Sequence, residues 1–259
     1  DPRGGFEPHP WHRSYLAKTG AEHYDDRQHQ VAAAAYLGLC SFMDAQVGLV
    51  VDALNANGFG ESTDILYTSD HGENAGARGM WGKSNHYEEA SGIPLILVSD
   101  AVPAGQVSST PVTLVDVHPT VLQGVGLPFE HDETPGRSLF GLATAADDLE
   151  RIAFSEYHAA GSPTGSFMIR RGQYKFIYYV GFEPELFDLT ADPQELTNLA
   201  RDPAHTSIVA VLEEQLRDIV DPEAVDREAQ AAQFQLVNSH GGPEAVMQNL
   251  VTASSYTPV

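Results

Sequence analysis

Two short, uninterrupted apolar runs lie between two stretches of helical periodicity. The runs cover residues 64–69 and 93–98, and the second has the continuous apolar character of a strand covered on both faces. Apolar positions repeat at helical spacing over about 28–55 before these runs and over 113–126 after them. Helix, strand, loop, strand and helix in this order predict an α/β sheet, mostly parallel, with crossover connections flanked by helices.

The pattern changes after about residue 148. Consecutive strand-like segments separated by short turns are followed by two helical segments, at 151–157, 166–171, 174–180, 185–189, 204–218 and 222–236. Strands joined by hairpins and covered by helices predict a small antiparallel α+β layer. We therefore divide the chain into an α/β part, residues 1–148, and an α+β subdomain with a tail, residues 149–259.

Composition excludes several kinds of partner. The formal net charge is −22, with 14 Lys and Arg against 36 Asp and Glu, and such a surface repels nucleic acid and anionic lipid. No uninterrupted apolar run approaches the roughly 18 to 20 residues that span a bilayer. We therefore expect neither nucleic acid nor a membrane as partner. The single cysteine, Cys40, excludes an intrachain disulfide and a CxxC metal site, and its helical spacing predicts a buried helix residue.

The most informative residues follow the first apolar run. The run ends in Asp70-His71-Gly72, which would place a carboxylate and an imidazole at the carboxyl edge of a sheet, where ligand sites gather in α/β folds. Gly72 would let the chain turn sharply. Lys83, one of three lysines, follows in a glycine-rich loop. An Asp-His pair is half of a cation site, but spacing alone fits equally well with Asp70 as a helix N-cap, His71 as a core histidine and Lys83 as a solvated residue.

Several further motifs follow one another along the chain. They are Ser-Asp-His-Gly-Glu at 69–73, Trp-Gly-Lys at 81–83, Tyr-Glu-Glu at 87–89, Ile-Pro-Leu-Ile at 93–96, and the segments 35–48, 155–161, 168–176 and 186–199. With these motifs the chain resembles the C-terminal half of sulfatases in the alkaline phosphatase superfamily, in particular the bacterial choline-sulfatase-like group. The resemblance extends over nearly the whole chain, and the motifs occur in the family's order.

The resemblance implies an alkaline-phosphatase/sulfatase-like sheet flanked by helices and a role for four residues. Asp70 and His71 correspond to the second pair of metal ligands, and the metal is expected to be calcium, with manganese as the alternative because imidazole suits transition metals. Lys83 corresponds to the catalytic lysine that contacts the sulfate and stabilises charge on the ester oxygen. His158 lies in a segment that the family places near the pocket mouth, so we expect it to bind substrate.

The departures from the family matter as much as the matches. The family's nucleophile is a formylglycine made from Cys or Ser in a Cys/Ser-x-Pro/Ala-x-Arg motif, and the residues from Cys40 to Asp44 contain neither the Pro nor the Arg. The first pair of acidic metal ligands is absent, and His9 is the only candidate for the leaving-group acid. We therefore expect a fragment of a sulfatase, with the formylglycine upstream of this chain and no activity of the chain alone.

Two alternatives remain open at this point. Relatives that hydrolyse phosphodiesters or phosphonate monoesters share the Asp-His-Gly and Lys elements, and the isolated chain could instead be an inert assembly or binding module. The expected partners are a small-molecule sulfate ester and further copies of the chain, bound through the C-terminal tail at 238–259. Bacterial cytoplasm and periplasm are both compatible with the sequence.

Overall fold

The computed structural model describes residues 8–20, 23–129, 134–159 and 161–249. The helices are α1 (Arg13–Thr19), α2 (Asp26–Ala56), α3 (Glu88–Ser91), α4 (Val117–Gly124), α5 (Leu139–Thr144), α6 (Thr206–Ile219), α7 (Pro222–Ser239) and α8 (Gly242–Asn249). The strands are β1 (Ile65–Thr68), β2 (Leu95–Val98), β3 (Ile152–Tyr157), β4 (Ser166–Arg171), β5 (Tyr174–Tyr179) and β6 (Glu185–Asp188). The predicted tail is described as far as residue 249, and residues 250–259 lie outside the described part.

Helix α2 begins and ends where the sequence predicts. Asp25 accepts a hydrogen bond from the backbone N–H of Gln28 at 2.8 Å, and the Gln28 side chain accepts one from Asp25 N, which completes a capping box. Gly58 follows the helix at φ 77°, the left-handed conformation that ends many helices.

The apolar side chains of α2 are not covered by other described residues. No residue of the helix is buried. Its exposed large hydrophobic side chains are Val31, Leu37, Leu39, Phe42, Met43, Leu49 and Val50. The prediction that Cys40 is buried is wrong for the same reason, since its side chain is exposed. An 18-residue window of α2 reaches a mean hydropathy of 1.5, so by length and composition alone the helix could cross a membrane; core helices of soluble proteins share this composition.

Strands β1 and β2 pair with each other antiparallel, with Ile65 opposite Val98 and Thr68 opposite Leu95. The expectation of a mostly parallel sheet with crossover connections is therefore wrong for the described residues, where every strand pair is antiparallel. The physical reason is the connection between the two strands. A parallel pair needs a crossover, usually through a helix. The segment 69–94 is a loop that contains only a three-residue 3-10 helix, Ala77–Gly79, and the four-residue helix α3, so the chain returns beside β1 in the opposite direction.

The C-terminal sheet has the order β3-β4-β5-β6, antiparallel throughout as predicted. Both of its faces are covered. One face packs on α6 through Phe167, Phe176 and Leu216. The other packs on residues from the first half of the chain, including Trp11 and Tyr87. This second face carries the residues that adjoin the site.

Candidate active site

Asp70 and His71 lie immediately after β1, at the end of the strand as the sequence predicts. The backbone N–H of His71 donates to Asp70 Oδ1 at 3.0 Å, and the Ser69 hydroxyl donates to the carbonyl oxygen of His71 at 2.7 Å. These local bonds fix the turn. The Asp70 side chain remains 80% exposed, so its carboxylate can meet a ligand.

The His71 ring is held so that one nitrogen is available. Nδ1 lies 2.8 Å from the carbonyl oxygen of Gly72, and because a carbonyl can only accept, this contact places a ring proton on Nδ1. Nε2 then faces Asp70 Oδ2 at 3.2 Å and contacts Lys83 Nζ. A backbone carbonyl that orients the second nitrogen is the usual arrangement of a metal-binding histidine.

Lys83 reaches this pair because the glycine-rich loop folds back on itself. The Glu73 carboxylate accepts hydrogen bonds from the backbone of Gly82 and, at 3.2 Å, of Ala75. Asn74 donates to the carbonyl oxygen of Gly82 from both its backbone at 2.8 Å and its side chain at 2.7 Å. Closing the loop at Gly82 places Lys83 against His71.

Gly72 is needed for space. The sequence suggested that this glycine allows a sharp turn, but its φ is not among the positive values. A Cβ at position 72 would overlap the carbonyl oxygen of Glu89, because the Gly72 backbone runs against the segment 89–90 and donates to Ala90 O at 2.8 Å. A side chain would push the Asp70–His71 turn away from the loop.

The site carries the donors of a cation site but too few of them. Burial acts to raise the pKa of Asp70, yet the charge of His71, hydrogen bonds from backbone N–H groups and the charge of Lys83 lower it overall, which favours the carboxylate. Among the described residues, no group of three or more His, Cys, Asp or Glu side chains could hold a metal ion. Oxygen and nitrogen donors at Asp70 and His71 fit half of a divalent-metal site, and the other ligands would have to come from elsewhere.

Asp70, His71 and Lys83 open onto a cavity of about 660 Å³. Its walls come from the loop at 69–94, called the site loop below, from the segment 108–113, and from the edge strand β3 with its neighbour β4. The volume falls in the range of roughly 300–1,000 Å³ that is usual for small-molecule sites. The arrangement therefore presents one cationic group and two potential metal ligands to a small molecule.

Two residues that line the cavity were not predicted from the sequence. Ser84 follows Lys83 with φ 85°, a conformation that a non-glycine residue rarely adopts, and its hydroxyl accepts a hydrogen bond from Tyr157 at 2.7 Å. Tyr157 ends β3. A serine in that conformation has no sequence signature, and the pairing joins residues 73 positions apart.

His158 does not line this cavity. Its ring packs edge-on against Phe167, both ring nitrogens are buried without a hydrogen-bond partner among the described residues, and Glu156 Oε2 is 3.8 Å from Nε2. A Cβ at Gly165 would lie 2.8 Å from the ring, so the histidine is closely packed. Contact with a substrate in the cavity would require the side chain to move.

His9 also lies elsewhere, stacked on Tyr179 at 4.5 Å between ring centroids and beside a second surface cavity. His86 and Glu88 do line the main cavity. Burial lowers the pKa of His86 to about 4, so the buried imidazole is neutral near pH 7. The structure therefore brings Asp70, His71 and Lys83 together and places His9 outside this site.

A buried ion network anchors the site loop to the C-terminal sheet. Lys175 on β5 pairs with Glu88 at 2.5 Å and Glu195 at 2.8 Å, and donates to the carbonyl oxygen of His86 at 2.8 Å. Arg78 pairs with Glu89 at 2.5 Å and with Glu195 at 3.6 Å. Burial raises the pKa of Glu195 while Lys175 opposes this shift. Breaking one member of such a network leaves an uncompensated buried charge, so the network fixes the loop's position.

Comparison with known proteins gives consistent matches. A family model described as "Sulfatase" matches residues 6–127, and a model described as "N-sulphoglucosamine sulphohydrolase, C-terminal" matches residues 76–221. The two matches overlap over residues 76–127, a range that contains Lys83.

Individual relatives agree with these models. Arylsulfatase K of Danio rerio is 32% identical over 222 residues, which cover 83% of this chain and 42% of that protein. The choline-sulfatase of Rhizobium meliloti (strain 1021) is 33% identical over 201 residues, which cover 76% of this chain and 39% of that protein. A solved structure of a 2-O GAG sulfatase superposes with a TM-score of 0.73 at 25% identity, covering 82% of this chain and 48% of that chain. The chain thus spans about two fifths of the length of these curated relatives.

Proposed function

Because this chain belongs to the sulfatases of the alkaline phosphatase superfamily, we propose that its Asp70–His71–Lys83 site takes part in the hydrolysis of a sulfate ester. One observation carries the proposal: Lys83 meets Asp70 and His71, which precede it by 13 and 12 positions along the chain, at one edge of a single cavity. An ammonium group beside two potential metal ligands suits an anionic, tetrahedral group.

Each residue has a distinct role in this proposal. Asp70 and His71 would hold a divalent metal, calcium or, given the imidazole, manganese. When bound, the metal neutralises charge on the sulfate oxygens, while the family's formylglycine supplies the nucleophile. Lys83 binds the sulfate and stabilises the negative charge that develops on the ester oxygen as the S–O bond breaks. Ser84 and Tyr157 hold the backbone next to Lys83 and so fix the position of the ammonium group.

We further propose that this chain supplies one part of a larger catalytic domain. Three observations support it: the described residues offer only two metal donors at the site, the apolar face of α2 has no cover among them, and the curated relatives are more than twice as long. In this proposal the nucleophile and the remaining ligands come from residues that are not in this chain. The alternative, an inert assembly or binding module, has no catalytic requirement for Lys83.

The test is the effect of Lys83→Ala on turnover by the protein that contains this chain together with the residues preceding it in the coding sequence. Loss of one charge-stabilising donor is expected to lower kcat on the order of 10²- to 10³-fold. Arg227→Ala, which removes an exposed positive charge on α7, is the control and should leave turnover unchanged. Comparing an aryl sulfate with an aryl phosphonate monoester separates sulfatase from phosphonate hydrolase activity. Undiminished turnover by Lys83→Ala would contradict the proposal.

A further inference from the structure

Arg170 is a cavity-lining cation that has no partner among the described residues. It lies on β4 and lines the same cavity as Asp70, His71 and Lys83. Its Nε atom is buried without a hydrogen-bond partner, and no ion pair or hydrogen bond to its guanidinium is formed within the described part of the chain.

The neighbouring cation, unlike Arg170, has carboxylate partners. Lys175, directly opposite Arg170 in the β4–β5 register, also lines the cavity but is saturated by Glu88, Glu195 and a backbone carbonyl. The contrast extends to the other arginines. In the described ranges, four arginines are not exposed, and three of them are ion-paired: Arg78 with Glu89, Arg151 with Asp116 and Arg171 with Glu150.

The free guanidinium does not result from a shortage of carboxylates. The chain carries 36 Asp and Glu against 14 Lys and Arg. Of the three carboxylates that line the cavity, Asp70 faces His71 at 3.2 Å, Glu88 pairs with Lys175, and Glu156 lies 3.8 Å from His158 Nε2. A partly buried charge without a counter-charge is costly to a folded protein unless a ligand satisfies it. An anion that enters the cavity would do so.

The shape of the cavity connects this cation to the reaction site. Lys83 and Arg170 border one space of about 660 Å³, which is much larger than a sulfate group requires. A substrate whose sulfate meets Lys83 would therefore extend its alcohol part along the sheet face toward Arg170. The hydroxyl groups of Ser155 and Tyr157 on β3 and of Ser84 in the adjoining loop line the same cavity and suit a hydroxylated molecule.

We propose that Arg170 binds a second anionic group of the substrate, a carboxylate or a second sulfate on the alcohol part. This inference rests on the proposed function, because it places the first sulfate at Lys83. The site then selects acidic sulfate esters, such as sulfated acidic sugars, over esters of neutral or cationic alcohols. The planar guanidinium can bind either anion through two parallel hydrogen bonds.

The experiment compares matched substrates in the protein that contains this chain and the residues preceding it. The set is a sulfated glucose, the glucuronic acid with its sulfate at the same position, and the glucose that carries a second sulfate. Arg170→Gln should lower kcat/KM for one or both acidic substrates by roughly tenfold to a hundredfold and leave the neutral one unchanged. Arg170→Lys should restore part of the loss. Preference for the glucuronic acid or for the disulfated glucose identifies the second anion.

Arg171→Gln is the matched control. This neighbouring residue pairs with Glu150 and does not line the cavity, so the substitution should not alter selectivity. Equal losses on neutral and acidic substrates, or no preference of the wild type for acidic ones, would overturn the inference.

A binding measurement by calorimetry distinguishes failure of this inference from failure of the proposed function. If none of the three sulfates is hydrolysed, sulfate-ester hydrolysis fails, and the role of Arg170 is decided by binding of the sulfated glucuronic acid to the same protein. Weaker binding by Arg170→Gln than by Arg171→Gln would support the anion site, and equal binding by both variants would refute it.

Discussion

The position of Asp70 and His71 depends on the absence of a side chain at Gly72. Gly72 follows them where the backbone comes closest to the segment 89–90, and its N–H bonds to the carbonyl oxygen of Ala90 at 2.8 Å. The obstacle to a side chain there is backbone, held in turn by the buried ion pair between Arg78 and Glu89. The site thus depends on close packing of main chain as well as on its charged groups.

Gly72→Ala should therefore destabilise the chain. Its Cβ would overlap the carbonyl oxygen of Glu89, and overpacking of this kind costs about 1–3 kcal/mol. Gly38→Ala is the control, because Gly38 lies within α2 with no atom within 4 Å of an added Cβ. Alanine there should stabilise the helix by about 0.5–1 kcal/mol. Thermal unfolding measures both changes. A Tm of Gly72→Ala at or above that of the parent would show that the contact is not restrictive.

At the scale of elements, a buried carboxyl group joins the site loop to the C-terminal sheet. Glu185, on β6, accepts hydrogen bonds from Tyr179 at 2.8 Å and from Tyr87 of the loop at 3.1 Å. Burial raises its pKa from 4.5 to about 7, with the two tyrosine hydroxyls opposing and the charge of Glu195 adding to the shift. The contact between loop and sheet therefore contains a group that titrates near neutral pH.

The stability of this contact should depend on pH. Because the pKa of Glu185 is higher in the folded chain, folding favours the protonated form, and the contribution of Glu185 to stability falls as pH rises from about 4.5 through 7. The loss is on the order of 3 kcal/mol. Buried His12 and His86, whose pKa values are lowered to about 3 and 4, change stability in the opposite direction.

Comparison with Glu185→Gln separates the carboxyl from the histidines, because the variant retains both histidines and cannot ionise at position 185. The free energy of unfolding of the parent, minus that of Glu185→Gln, should decrease between pH 5 and 8. Glu228→Gln, at an exposed carboxylate on α7, should follow the parent at every pH. A difference that is constant with pH would mean that Glu185 does not titrate in this range.

How far the sequence predicts these elements depends on the range of the interactions. Local sequence patterns and turn residues predicted the four C-terminal strands and α2 to within a few residues, because helix and strand preferences depend on residues that are close along the chain. The antiparallel pairing of β1 with β2 was missed, since an apolar run carries no direction. The same holds for the site: Asp70, His71 and Lys83 are close together in the sequence and carry a motif, whereas Ser84, Tyr157 and Arg170 come to line one cavity only through long-range packing of the loop on the sheet.

At the scale of the whole molecule, the exposed face of α2 and the small number of metal donors at the described site both support the proposal that this chain is one part of a larger catalytic domain. The 31-residue α2 exposes an apolar surface that other proteins bury, and the site offers two metal donors within the described part of the chain. Both are accounted for if further residues pack on α2 and complete the site. Because the net charge of the chain, −22, repels an anionic substrate, a cation bound at this edge would favour substrate binding.

The most direct measurement is turnover of an aryl sulfate by the chain alone, with calcium or manganese present, beside the protein that also contains the preceding residues. Removing a nucleophile from well-studied hydrolases leaves on the order of 10³- to 10⁴-fold catalysis over water, and the described residues supply only two metal donors at this site. We expect no detectable turnover by the chain alone and turnover that depends on Lys83 in the longer protein. Robust turnover by the isolated chain would contradict it, because these 259 residues would then contain a nucleophile of their own.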